Sequence, residues 1–296
     1  MRKILASLIV LIIIAAGVGW VLTAPKPLDP SVTAGLTGDP EHGEAIFNAG
    51  GCASCHAAPG AEGEARLILA GGKAFPSPFG TFYAPNISTS ETAGIGAWTV
   101  ADLANAMLRG VSPAGQHYYP AFPYGSYAKA RPQDVADLRA YLDTLPATET
   151  ASRDHDVGFP FNIRRSLGGW KLLFFRDEFV MEEVNSEPLA RGRYLVEALG
   201  HCAECHTPRN ALGGLDTSRW LGGAPNPSGQ GTIPNITSGG LSWSEDEIAE
   251  YLASGFTPDF DVAGGEMAEV VQNTANLSAT DRAAIAAYVK AVPAVE

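Results

Sequence analysis

The stretch Cys52-Ala53-Ser54-Cys55-His56 has a second copy in this chain, Cys202-Ala203-Glu204-Cys205-His206, and the two copies use all four cysteines of the 296-residue sequence. Two thiols one helical turn apart can reach the two vinyl groups on one edge of a porphyrin, and the next imidazole can bind the iron. This spacing is the attachment signature of c-type haem. The sequence therefore predicts two covalently bound haem c groups, with His56 and His206 as proximal iron ligands.

A single Cys-x-x-Cys string is also compatible with a zinc site or with a redox-active dithiol. Three features favour haem: the pattern is repeated, a histidine follows each copy directly, and the chain opens with a membrane-entry segment. Haem attachment needs free thiols in an oxidising compartment. Because no fifth cysteine is present, no structural disulfide competes for the thiols.

Residues 1–24 at the N-terminus are predicted to form a transmembrane signal-anchor, followed by a linker over residues 25–38. Arg2 and Lys3 precede an uncharged apolar run from Ile4 to Ala24, which as a helix would extend about 30 Å, one hydrocarbon thickness. A cleaved signal peptide is the alternative, but Pro25 follows the one plausible cleavage position, after Ala24. The prediction is a single-pass protein of the inner membrane, with everything after the anchor in the periplasm.

The formal net charge is −12, from 20 basic and 32 acidic side chains. This excess of acid argues against a nucleic acid partner. It favours a protein partner with a basic docking face, which the field of the chain would steer toward it.

The two halves of the chain are an internal duplication. Asn86-Ile87 recurs at Asn235-Ile236, an offset of 149, while Trp98 and Gly110 recur at Trp243 and Gly255, an offset of 145. Helices are predicted at equivalent places in the two halves, and their capping residues recur too. The first half has helices over 41–48, after Trp98 and over 133–145; the second has them over 189–198, after Trp243 and over 280–292.

No alternating strand pattern appears, so the predicted fold is all-α, with two tandem class I-like cytochrome c domains over residues 39–150 and 185–296. Residues 151–184 form an aromatic-rich connector that includes Phe159-Pro160-Phe161 and Gly169-Trp170-Lys171. We expect the connector to pack across both domains, because its aromatic density does not suit a solvated tether. The alternative is a surface helix at the membrane interface.

The chain resembles the cytochrome c subunits of bacterial periplasmic dehydrogenases, including the multihaem subunits of quinoprotein alcohol and gluconate-type dehydrogenases. Besides the haem motifs, the likeness rests on Phe79-Gly80-Thr81, Asn86-Ile87, Gly94-Ile95-Gly96-Ala97-Trp98, 109–113, 119–124, 159–164 and Gly169-Trp170. It covers nearly all of the chain after the anchor. Those subunits commonly carry three haems, whereas this chain has motifs for two. The resemblance implies electron transfer from a catalytic partner, without identifying that partner.

Met267 is the predicted distal ligand of the second haem. It lies 65 residues after Cys202 in a glycine-rich stretch between two predicted helices, where no apolar stripe gives it a role in the core. Methionine opposite histidine is the usual arrangement in electron-carrying cytochromes c, and the family likeness agrees.

The first half places Phe122 at the position equivalent to Met267, and a phenylalanine ring cannot bind iron. His117, five residues earlier, is the tentative distal ligand of the first haem. Two alternatives remain open at this point: an open or water-bound iron, and ligation by Met107, which otherwise fits the apolar face of a helix. His42 and His155 are more distant candidates, and His201 is predicted to lie at the surface.

The predicted function is electron transfer from a periplasmic dehydrogenase to a terminal oxidase or a soluble cytochrome. No nucleophile or acid–base constellation is visible, which argues against an enzyme in its own right, since the chemistry belongs to the cofactor. The alternative is a di-haem redox enzyme, peroxidase-like, or a small-ligand-binding protein that uses an open first haem.

Overall fold

The computed structural model describes residues 1–226 and 231–296. The first repeat is built on three helices that follow the predicted pattern: α2 (Pro40–Ala49), α4 (Val100–Arg109) and α6 (Pro132–Leu142). Two short helices complete it, α3 (Cys52–His56), which carries the first haem motif, and α5 (Tyr124–Tyr127).

The second repeat has the same order of elements. Its helices are α8 (Glu187–Arg193), α9 (Ala203–His206), α10 (Glu245–Ser254), α11 (Glu266–Thr274) and α12 (Ala279–Ala291). A π-helical turn over Tyr194–Leu199 prolongs α8 toward the second haem motif. The prediction of an all-α fold with two cytochrome c domains is confirmed.

The predicted start and stop signals of α4 and α10 are present as hydrogen bonds. Thr99 and Asp102 form a reciprocal capping box before α4, and Ser244 and Glu247 form the same box before α10. Each helix ends at a glycine in the left-handed conformation, Gly110 with φ 58° and Gly255 with φ 79°.

Two short antiparallel hairpins add to the helices. In the first repeat β1 (Ala74–Ser77) pairs with β2 (Gly80–Tyr83), and in the second β3 (Ala224–Pro225) pairs with β4 (Thr232–Ile233). Sequence patterning gave no sign of them, because segments of two to four residues are too short to show an alternation.

The first and last helices of each repeat cross at a glycine. A Cβ on Gly43 of α2 would lie 2.0 Å from the Asp137 carbonyl oxygen of α6, and one on Gly192 of α8 would lie 1.9 Å from the Ala284 carbonyl oxygen of α12. Only glycine permits these backbone approaches, so the same crossing is built twice from the same residue type.

The connector touches both repeats. It contains α7 (Leu167–Phe174). The Lys171 ammonium donates to the carbonyl oxygens of Arg109 and Gly110 at the end of α4, and the Trp170 indole donates to Leu212 O, 3.0 Å away, in the second repeat. Further along, the backbone amides of Val180 and Met181 donate to the buried Glu197 carboxylate. One hydrophobic cluster contains buried side chains of both repeats, and a smaller separate cluster contains Phe82, Tyr119 and Leu167.

The N-terminal helix α1 (Arg2–Leu22) stands outside this core. It is long and apolar enough to cross a membrane, and none of its residues is buried. Its C-terminal end meets the connector, because a Cβ on Gly168 would lie 2.1 Å from Thr23 O and the Arg165 guanidinium lies over the Trp20 ring.

Substituting Gly192→Ala should destabilise the chain by about 2 kcal/mol, because the new methyl group must push α8 away from α12. The matched control is Gly169→Ala in α7, where a Cβ meets no atom within 4 Å and alanine favours the helix. Denaturant unfolding followed by far-ultraviolet circular dichroism measures both variants. Equal stabilities of the two variants would contradict the close crossing.

Candidate haem sites

The four cysteines are unpaired and lie at the starts or ends of the short helices α3 and α9. Burial raises the pKa of the Cys52 and Cys202 thiols to about 12 and that of Cys55 to about 11. A zinc site or a redox dithiol needs thiolates, which these surroundings disfavour. A thioether to haem carries no charge and suits the same burial.

Each proximal histidine is oriented by a proline carbonyl. His56 Nδ1 lies 2.8 Å from Pro85 O, and His206 Nδ1 lies 2.8 Å from Pro234 O. Burial lowers the pKa of both imidazoles, so the neutral ring with its proton on Nδ1 donates to the carbonyl. The Nε2 lone pair is then left for iron, the arrangement in which outer hydrogen bonds orient a metal-bound histidine. The residues of both motifs fit haem c.

Pro85 and Pro234 were missed by the sequence analysis, although a signal for them existed. Each stands directly before the repeated Asn-Ile pair. The asparagines fix these loops from within: Asn86 donates to the carbonyls of Thr148 and Thr150, and Asn235 donates to Val295 O at 2.7 Å. The loops therefore hold the two proline carbonyls in place.

The two attachment segments meet at the boundary between the repeats. The Ser54 hydroxyl, inside the first motif, lies 2.6 Å from Asn273 Nδ2 of α11, and Gly50 O lies 3.2 Å from His201 Nε2, directly before the second motif. The Tyr127 ring contacts the His201 ring at 5.7 Å and its hydroxyl donates to Gly50 O. His201, predicted to lie at the surface, is partly buried and lies between the two motifs.

An ion-pair cluster reinforces this boundary. The Lys73 ammonium of the first repeat lies 2.7 Å from Glu266 Oε2 and 3.0 Å from Glu269 Oε2, both in α11, and it also donates to Ser54 O. The amine thus joins the first haem motif to the helix that carries Met267.

Met267 is the second residue of α11 and is partly buried against the core. It lies in the first helical turn rather than in a loop, two residues after Gly265. Its role as distal ligand stays a prediction.

Phe122 sits among tyrosines in the first repeat. Its ring lies 5.8 Å from that of Tyr118, 6.5 Å from that of Tyr124 and 5.7 Å from that of Tyr127. Met107 is buried in the hydrophobic cluster on α4, as an apolar-face residue would be. Phe122 has no atom that can bind iron, and Met107 packs in the core. Neither side chain is therefore a counterpart of Met267.

His117 is buried, and its Nε2 lies 3.0 Å from Thr23 O at the end of α1. Burial, with Lys171 and Arg165 nearby, lowers the pKa of His117, so the neutral ring donates from Nε2 and only Nδ1 keeps a lone pair. That Nδ1 is buried and has no hydrogen-bond partner among the described residues. Ligation of the first haem by His117 stays a prediction, and in this geometry it would have to use Nδ1.

The other histidines named from the sequence have partners of their own. His42 Nδ1 lies 2.7 Å from the buried Asp137 carboxylate, and His155 Nδ1 accepts from the Tyr83 amide at 3.1 Å. The first contact joins α2 to α6, and the second joins the connector to β2.

The fold and both sites define a protein of two similar domains, each with one haem attachment motif. A family model described as Cytochrome c matches residues 40–146 and again residues 189–293. The chain belongs to the cytochrome c family and carries two covalently bound haem c groups.

Similar proteins point the same way. A protein named "Diheme cytochrome c-type" from Cereibacter sphaeroides is 59% identical over the full length of both chains. The "Fructose dehydrogenase cytochrome subunit" of Gluconobacter japonicus is 35% identical over 99% of this chain and 60% of its own length. The "Gluconate 2-dehydrogenase cytochrome c subunit" of Pantoea cypripedii is 36% identical over 86% of this chain and 59% of its own. The chain thus spans about three fifths of these two dehydrogenase subunits.

Substituting Met267→Ala should abolish the near-infrared sulfur-to-iron charge-transfer band and lower one of two midpoint potentials, because a thioether ligand stabilises ferrous haem. Met181→Ala in the connector, also a partly buried methionine, is the control and should leave the band intact. Absorption spectroscopy and redox titration give the two readouts. A band that survives in Met267→Ala would assign this side chain to packing.

Proposed function

We propose that this chain is a membrane-anchored electron carrier, which accepts electrons from a periplasmic dehydrogenase and passes them to a terminal oxidase or a soluble cytochrome. The observation that carries the proposal is the meeting of the two haem motifs at the boundary between the repeats, through Ser54, Gly50, Tyr127 and His201. Two redox centres joined by so short a run of packed side chains suit transfer from one to the other.

The residues around the motifs suit a carrier. Haem supplies the one-electron chemistry, and the protein supplies binding, orientation and electrostatics. His56 and His206 are each oriented by a carbonyl, and α3 is held against α11 through Ser54 and Lys73. A rigid setting of this kind keeps reorganisation small when the charge on the iron changes.

Two observations support membrane association. The exposed helix α1 is long and apolar enough to span a bilayer. Near the C-terminal end of α1, the connector exposes large apolar side chains beside basic ones. This combination suits the membrane–water interface. The exposed apolar residues there are Phe159, Phe161, Ile163, Leu172 and Leu173.

A dehydrogenase as electron donor is supported by the names of relatives. Two of them are cytochrome subunits of a fructose and a gluconate dehydrogenase, and a third is the cytochrome c subunit of a quinone-dependent alcohol dehydrogenase from Gluconobacter oxydans, 33% identical over 86% of this chain. The acidic net charge of the chain fits a donor or an acceptor with a basic docking face.

The proposal predicts that the tagged full-length chain, solubilised in detergent from salt-washed membranes, co-purifies with a dehydrogenase and is reduced when the substrate of that enzyme is added. Fructose, gluconate and ethanol are the first substrates to try, with haem reduction followed by absorption. A variant without residues 2–24, exported by a cleavable signal, is the control and should be found in the soluble periplasmic fraction. Release of the full-length chain by salt would contradict the anchor, and absence of any substrate-dependent reduction would contradict the donor.

A second candidate function rests on the first haem. Phe122 offers no lone pair, and His117 Nε2 is hydrogen-bonded to Thr23 O. An iron without a distal side chain could bind a small ligand such as peroxide while the second haem supplies electrons. This candidate is a di-haem redox enzyme.

The two functions are separated by the first haem's ligation. If His117 binds iron, the ferric chain is low-spin, and His117→Ala converts half of the haem to a high-spin form that binds carbon monoxide when reduced. If the site is open, the wild type already binds carbon monoxide at half of its haem, and Phe122→Met restores a six-coordinate haem of higher potential. Loss of one of two methionine-ligated haems in Met107→Ala would contradict both versions.

A further inference from the structure

The loop after α10, residues 256–262, has an exact counterpart after α4, residues 111–117, at the offset of 145. In the first loop the Ser112 amide donates to Gln116 O at 2.8 Å, and in the second the Thr257 amide donates to Asp261 O at 2.9 Å. Each loop is also closed by an antiparallel bridge between its first and last residues, Val111 with His117 and Phe256 with Val262. The two loops are therefore the same small hairpin, and they can be compared position by position.

The base of the first hairpin is covered, while its tip, residues 113–116, is exposed. Val111 and His117 are each 3% exposed. His117 is hydrogen-bonded to Thr23 O at the end of α1 and to the Arg164 guanidinium of the connector, and the Lys171 ammonium binds the carbonyls just before Val111. This surface of the first repeat thus packs against the end of α1 and the connector of the same chain.

The second hairpin carries larger apolar side chains and is uncovered. Phe256 is 57% exposed, Phe260 92% and Val262 60%. A face that the first repeat uses for packing is therefore presented to solvent by the second. Exposed apolar clusters with a polar rim mark protein interaction sites.

The backbone at Phe260 is strained. Its φ is +64°, and the equivalent residue of the first hairpin is Gly115, with φ +70°. Glycine adopts this conformation freely, whereas a bulky side chain does not. The fold would gain from glycine at position 260, and Phe260 buries almost nothing within the chain. An outlier of this kind points to a role outside the folded core.

The charge around this hairpin indicates the kind of partner that would bind it. Residues 220–281 contain nine acidic side chains and no lysine or arginine. Asp259 and Asp261 lie in the hairpin itself, whereas Glu266, just after it, is paired with Lys73 of the first repeat. The hairpin is followed within a few residues by α11, which carries Met267, the predicted distal ligand of the second haem. A partner that seats here would need an apolar centre and a basic rim.

We infer that the hairpin of residues 256–262 is the docking face for a basic electron-transfer protein that exchanges electrons with the second haem. Phe260 is the apolar contact at its centre, and the acidic side chains steer the partner. The inference rests on the proposed electron-transfer function for its purpose, but the docking itself stands on the uncovered hairpin and its charge.

Phe260→Gly tests the apolar contact. The probe is a lysine-rich mitochondrial cytochrome c, and the full-length haem-loaded chain in detergent is used throughout. The variant should bind the probe about tenfold more weakly by surface plasmon resonance and reduce it correspondingly more slowly by stopped flow. Its unfolding midpoint should be equal or higher, because glycine relieves the positive φ. Unchanged affinity and unchanged rate in Phe260→Gly would overturn the inference.

Asp259→Lys tests the charge, and Glu62→Lys, an exposed reversal in the first repeat, is its matched control with the same change in net charge. Asp259→Lys should slow association about fivefold at low ionic strength, with the difference vanishing in high salt, while Glu62→Lys has a much smaller effect. Equal effects of the two reversals would overturn the assignment of this face.

The two proposals fail separately. A wild type that binds the probe through Phe260 but transfers no electrons to it retains the docking face and contradicts the carrier function. A wild type that binds no probe overturns the docking face, while reduction by a co-purified dehydrogenase still supports the carrier.

Discussion

The structure of each repeat depends on one hydrogen bond, from the proximal imidazole to a proline carbonyl. It fixes the tautomer, because Nδ1 must hold the proton, and it leaves the Nε2 lone pair available to iron. Further contacts in each repeat hold the proline carbonyl in place. The proline carbonyl is held by the Asn-Ile loop, that loop is pinned by the last residues of its repeat, and those residues follow the helix that crosses the first helix at a glycine. The duplication preserves this chain of contacts in both halves.

What the repeats do not share is their surroundings. The first repeat is covered by the end of α1 and by the connector, which uses Lys171, Arg164 and Gly168 to do so. The second repeat is free on the corresponding side. The two repeats thus share their internal contacts, but the equivalent surface is packed in the first repeat and exposed to solvent in the second. The Phe122 and Met267 difference follows the same division, with phenylalanine in the covered repeat and methionine in the exposed one.

The elements that could be predicted from the sequence are those fixed by local chemistry. Capping boxes at Thr99 and Ser244, glycine stops at Gly110 and Gly255, and the helices between them depend on neighbouring residues, so the sequence pattern was sufficient. The haem motifs are also local. The proline carbonyls lie 29 and 28 residues from their histidines, and no local pattern reveals a contact made by a backbone oxygen. The short hairpins were missed for lack of length.

His117 and His201 show why site residues are harder to predict than helices. His201 directly precedes a haem motif, and His117 lies five residues before Phe122. Both were judged from their neighbours along the chain. In the structure each is placed by a partner far away: His117 by Thr23, 94 residues earlier, and His201 by Gly50, 151 residues earlier. An imidazole can donate a hydrogen bond to a carbonyl oxygen or bind iron through a nitrogen lone pair, so its chemistry alone does not select between the two. The choice is made by tertiary packing, which here places His117 against the end of α1 and His201 between the two haem motifs.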